Sequence, residues 1–118
     1  MIGSIQERDW KYLRSIFDEM LNELCSRVLA EAAGIVAGKK GSSHQRYLAL
    51  FRHIKMSDDV IAECFNDWRR STISHRIVSL RHHNLLTDEH VKHLTETAQD
   101  WLRMVERISG PDENSDEA

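Results

Sequence analysis

Apolar residues early in the chain recur at steps of three and four: Trp10, Leu13, Phe17, Met20, Leu24 and Val28, with Ile16 and Leu21 widening the stripe. That spacing places them on one face of a helix. Ser4-Ile5-Gln6-Glu7 has the form of a capping box, and Gly38 stands where a left-handed C-terminal residue belongs. The pattern predicts a first helix from Ile5 to Ala37. After the link at 38–43, Ser42 or Ser43 opens a short helix in which Tyr47, Leu50, Phe51 and Ile54 form an i, i+3, i+4, i+7 face. Ser57-Asp58-Asp59 sets a capping hydroxyl before two acids, the arrangement favoured at a helix N-terminus, and predicts a third helix that stops at Asn84. Thr87-Asp88-Glu89 repeats that opening for a fourth, which ends at Gly110-Pro111. Its stripe of Val91, Leu94, Ala98, Trp101, Val105 and Ile108 is flanked by Leu102 and Met104, where a simple coiled coil would carry charge, so it reads as bundle core. No segment has a strand pattern. The expected fold is all-α.

The architecture expected is an elongated four-helix bundle with two long helices, one short helix and a medium C-terminal helix. Residues 1–109 form its single domain, and 110–118 form an acidic tail that has nothing to bury and is expected to be disordered. A helix of ~33 residues spans about 50 Å. A compact domain of this length has a radius of gyration of about 13 Å. The first helix therefore implies either an elongated bundle or a dimer that covers the overhang.

The third helix changes character along its length. Ile61, Cys64, Phe65 and Trp68 share one direction, whereas Ile73, Ile77 and Leu80 lie roughly 120° around the helix. The buried face switches near Ser71-Thr72, so the helix either kinks there or packs its second half against something new. Charge switches as well: Asp58, Asp59, Glu63 and Asp67 give way to Arg69, Arg70, Arg76 and Arg81. A helix dipole explains the ends of such a gradient but not a whole second half.

Composition narrows the function classes. The chain has 118 residues, 16 basic and 19 acidic, for a net charge of −3. Setting aside Asp112, Glu113, Asp116 and Glu117 leaves 16 bases against 15 acids, which excludes a globally basic nucleic-acid binder but permits a local basic patch. No apolar run approaches the ~18 residues of a membrane span. No secretory signal heads the chain, and two cysteines without CxxC spacing make no disulfide framework. A cytoplasmic protein with no membrane association is expected.

Little in the sequence points to catalysis. His90 and His93 are a helical turn apart and His82 and His83 precede them, which makes them the candidates for a metal site. There is no HExxH or ExxH pairing, and both sit at polar positions beside Val91 and Leu94, so no metal or other cofactor is expected. Gly34 to Lys40 falls one residue short of a phosphate-binding loop, lacks its Ser or Thr, and follows a helix rather than a strand. Cys25 and Cys64 adjoin apolar stripes and read as small buried hydrophobes. Trp10, Trp68 and Trp101 read as packing anchors. The chain is expected not to be an enzyme.

The stretch Arg70 to Thr87, RSTISHRIVSLRHHNLLT, resembles the recognition helix and following turn of winged helix-turn-helix regulators. The resemblance implies that Ser71, Thr72, Ser74, His75 and Arg76 approach DNA while Ile73, Ile77 and Leu80 face the core. The stretch departs from the motif at Asn84, where glycine is usual. The motif's turn is also shorter by one residue, and a capped helix follows where wing strands belong. The leading expectation is a non-enzymatic interaction or adaptor module. Its surface would be the basic half of the third helix: Arg69, Arg76 and His83 at seven-residue steps, with Arg70 and Arg81 on a second line. The partner would be a second copy, an acidic protein, or both. A DNA-binding regulator with a helix-turn-helix-like segment at 59–87 is the alternative.

Overall fold

The computed structural model describes residues 5–109, so the Ser4 cap and the acidic tail lie outside the described residues. It is all-α, with six helices: α1 (Glu7–Ser15), α2 (Phe17–Ala37), α3 (Ser43–Phe65), α4 (Ile73–His82), α5 (Asp88–Val91) and α6 (Glu96–Ser109). All four expected helices change. The first breaks at Ile16, the short second helix and the start of the third are one helix, the rest of the third follows a break at 66–72, and the fourth divides at 92–95.

Each change has a local cause. Ser15 Oγ donates to the carbonyl of Tyr12 at 2.6 Å. That oxygen would otherwise accept from the Ile16 amide, which instead bonds to Leu13. Side-chain competition for a backbone acceptor thus lets the chain turn where no glycine or proline stands. Ser57 opens nothing, because it lies inside α3. The N-terminus is set by Ser42, whose Oγ accepts from the Gln45 amide while Gln45 Oε1 accepts from the Ser42 amide. The left-handed residue of the preceding link is Gly41 (φ 82) rather than Gly38.

The face switch in the expected third helix is a true break. α3 ends at Phe65, where Trp68 Nε1 donates to the carbonyl of Cys64 at 2.8 Å, and Asp67 takes a left-handed φ of 54. Thr72 Oγ1 then donates to the carbonyl of Asp67 and closes the turn before α4. Asn84, also left-handed (φ 57), terminates α4, after which the amides of Leu85 and Leu86 both return to the carbonyl of Leu80.

α2 and α3 form a long antiparallel hairpin whose base is packed by the other helices. All core residues lie at that base, among them Leu13 in α1, Ile16 at the break, Met20 and Leu24 in α2, Cys64 and Phe65 in α3, Ile73, Ile77 and Leu80 in α4, and Leu86, Leu94 and Trp101 beyond. Among the described residues none between Leu24 and Cys64 is buried. The molecule accordingly extends 53 × 33 × 22 Å with a radius of gyration of 17.0 Å, well above the compact value of about 13 Å. A base with a protruding two-helix arm replaces the four-helix bundle expected of the single chain. No helix among the described residues is long and apolar enough to cross a membrane.

Candidate interaction surface on the helical arm

The basic residues read from the sequence as a partner-binding stripe do not form one, because the break at 66–72 removes the seven-residue register they would share. Each is bound within the chain. Arg69 makes two bonds to the Asp67 carboxylate, at 2.7 and 3.0 Å, which hold that carboxyl below its usual range. Arg70 donates to the carbonyl of Ile5 and to Glu7, tying the turn to the start of α1. Arg76 donates to the carbonyl of Glu63 at 2.7 Å, across the α3–α4 corner. Arg81 binds Glu106, Asp88 and the carbonyl of Leu86. Burial works against its charge, but the two carboxylates outweigh that and raise its pKa. His83 Nε2 lies 3.6 Å from Glu63. Arg70 fastens the turn to α1, and Arg76 and Arg81 fasten α4 to α3 and to α5 and α6.

The residues of the helix-turn-helix resemblance divide. Ile73, Ile77 and Leu80 do face the core. Ser71 and His75 are exposed, Ser74 is half-buried, Thr72 is spent on the turn, and Arg76 points back to α3. His90 and His93 do not converge. The Thr87 amide donates to His90 Nδ1, so the neutral ring presents Nε2–H to Glu19 at 2.9 Å. His93 stacks on Tyr12 instead, with ring centroids 5.1 Å apart. Among the described residues no group of three His, Cys, Asp or Glu could hold a metal ion. An open cleft of about 470 Å³ lies between α2 and the α4–α5 turn, but its arginine is engaged, Arg27 with Glu23 and with the carbonyls of His83 and Asn84. Of the thiols, Cys64 is fully buried, and burial, with help from Glu63 and against Arg76, pushes it up to about 11. Cys25 is half-buried on α2.

The surface that stands out includes the face read from the spacing of Tyr47, Leu50, Phe51 and Ile54. Tyr47, Phe51 and Ile54 do lie along one side of α3, but they are 63%, 51% and 45% exposed. α2 adds Leu29 at 67% and Val36 at 59%. The two stripes share one side of the arm. α3 meets α2 through the positions of Arg46, which donates to the carbonyl of Val36, and His53, which bonds the carbonyl of Val28. At 100° per residue, each exposed stripe sits about 100° around its helix from that seam. Because the helices are antiparallel, the two rotations lead to the same side. The opposite side is marked by Arg27 of α2 and Glu63 of α3, both of which reach the α4 end of the base.

The arm therefore presents these five apolar side chains on one side, uncovered among the described residues, while Met56 of α3, 68% exposed, lies on the Glu63 side. A large apolar patch on a protruding element marks an interaction site. The signal available in the sequence was the second apolar line of α2, Cys25, Leu29 and Val36, which lies outside the stripe of Leu24 and Val28 and has no partner of its own. Comparison with known protein families, characterised proteins and solved structures gives no match to this chain.

Proposed function

We propose that this protein is a non-enzymatic helical interaction module, and that it works through the apolar side of the α2–α3 arm rather than through the arginines of α4. The observation that carries the reading is the exposure of Leu29, Val36, Tyr47, Phe51 and Ile54 together on an arm that no other described element covers. Side chains of this kind gain roughly 25 cal/mol for each Å² removed from water, which makes association the natural fate of the patch. A homodimer is the form in which the chain covers its own overhang. Two arms laid together would also assemble the four-helix arrangement that one chain lacks.

The test is photo-crosslinking in the cell of origin, with a photoreactive phenylalanine analogue at Phe51 and, as control, at the exposed Lys92. Position 51 is expected to give a discrete adduct, to a second copy or to another protein, that position 92 does not give. Equal labelling at both positions would remove the reading.

A further inference from the structure

We infer that the outer half of the arm docks an acidic amphipathic helix of a partner protein. This rests on the reading of the apolar side as an interaction surface and selects its occupant by charge. Residues 32–57, the outer parts of α2 and α3 with the link between them, hold Lys39, Lys40, Arg46, Arg52 and Lys55 and not one acid. Of the chain's 16 bases and 19 acids, the rest holds 11 and all 19, so a +5 end projects from a body of −8. Among the described residues none of those five cations is paired with a carboxylate, whereas seven of the other 11 are. The charge reaches the apolar stripe, since Lys55 Nζ lies 5.7 Å from the centroid of the Phe51 ring. Screening at cellular ionic strength sets in over about 8 Å, nearly the thickness of an α-helix with its side chains, so cations on any side of so thin an arm raise the potential over the stripe.

A helix with apolar and acidic faces matches both features of this surface. Leu29 to Val36 and Tyr47 to Ile54 are each seven residues, two turns or about 10 Å, on parallel lines either side of the α2–α3 seam. A third helix seats its ridge in such a groove, with its acids toward the surrounding cations. Other occupants match one feature and not the other. A second copy would lay another acid-free, +5 surface on the first. Phosphates of a nucleic acid suit the cations but offer nothing to the aliphatic side chains of Leu29, Val36 and Ile54. An anionic bilayer is flat, and would reach past the outer arm to Asp18 and Asp58. Both lie on the same side nearer the base, because eleven residues, about three full turns, separate Asp18 from Leu29 and Tyr47 from Asp58.

The test uses the full chain and fluorescence anisotropy with two synthetic peptides of about 16 residues, ~24 Å long as helices. Both carry Leu at i, i+3, i+4 and i+7, and the opposite face is Glu in one and Lys in the other. Wild type is expected to bind the Glu peptide at least ~10-fold more tightly than the Lys peptide, a preference that shrinks as salt rises from about 0.05 to about 0.5 M. Arg52→Glu with Lys55→Glu should weaken the Glu peptide about tenfold. Leu29→Glu with Phe51→Glu should abolish its binding, with circular dichroism showing unchanged helicity in both variants. Equal affinity for the two peptides, or no affinity for either, overturns the inference; a protein adduct at Phe51 in the cell would then leave the parent reading standing. Glu-peptide binding that survives Leu29→Glu with Phe51→Glu overturns it by placing the site elsewhere. A wild-type dimer in sedimentation equilibrium that the same variant abolishes overturns it in favour of a second copy. Tighter binding, lost in that variant, to phosphatidylserine vesicles or to a single-stranded RNA oligonucleotide overturns it in favour of those surfaces.

Discussion

The carboxylate of Asp9 is 1% exposed and holds together two distant parts of the chain. It accepts from the Thr95 amide at 2.7 Å and from Thr95 Oγ1 at 2.6 Å, while that hydroxyl also accepts from the Ala98 amide at the start of α6. Asp9→Ala leaves two partly buried donors of Thr95 without an acceptor, so urea denaturation should show a loss of about 2 kcal/mol. Asp9→Asn, which keeps one acceptor, should lose about half of that. Nothing near Asp9 in the sequence announces this role, because its partner is 86 residues away. Cys64 gives a pH prediction. Its folded thiol titrates near 11, above the ~8.5 of an unfolded cysteine, so the stability it contributes is complete below about pH 8.5 and is lost as pH rises toward 11. Unfolding free energy measured across that window should fall in wild type and stay flatter in Cys64→Ala. In native protein a thiol reagent should modify Cys25 first, and Cys64 only on unfolding.

Helix ends were legible where a cap and its partner lie three residues apart, as at Ser42 with Gln45 and Thr87 with His90. They were misread where an end depends on a residue's backbone conformation, as at Asp67, or on a side chain taking a neighbour's carbonyl, as at Ser15. The left-handed positions separate by substitution. Asn84→Gly should leave stability within a few tenths of a kcal/mol, since glycine adopts that conformation freely, whereas Asn84→Ala should cost about 1 kcal/mol. Gly41→Ala should cost at least as much. A methyl there would lie 2.5 Å from Gln45 Oε1, the atom that completes the α3 capping box. Thermal melts of the three variants, ranked against wild type, check the order.

Across the whole molecule, stability is distributed unevenly. The base holds every buried apolar side chain among the described residues, and the outer arm rests on half-buried residues and on the bonds of Arg46 and His53 to α2 carbonyls. Amide exchange should therefore be much faster in residues 28–54 than in α4 or α6 for dilute protein. Association through the apolar side, as proposed above, should protect the same amides by mass action while those of α4 stay constant. Equal protection of arm and base in dilute solution would contradict the described core.

The sequence by itself determined that the chain is helical, that turns fall near 38–42 and 84–87, that the buried face switches near Ser71-Thr72, and which side of each helix is apolar. Those properties depend on residues within one or two turns of each other. Only the tertiary structure decided which apolar sides are covered. Tyr47, Phe51 and Ile54 have the same periodicity as Ile73, Ile77 and Leu80, yet the second set is buried under α3 and the base while the first faces outward. The arginines of 69–81 follow the same rule: their charge was plain in the sequence, but whether it met a partner or the chain's own carbonyls depended on where the break at 66–72 aimed α4. Periodicity specifies a face, and burial is a property of what packs against it.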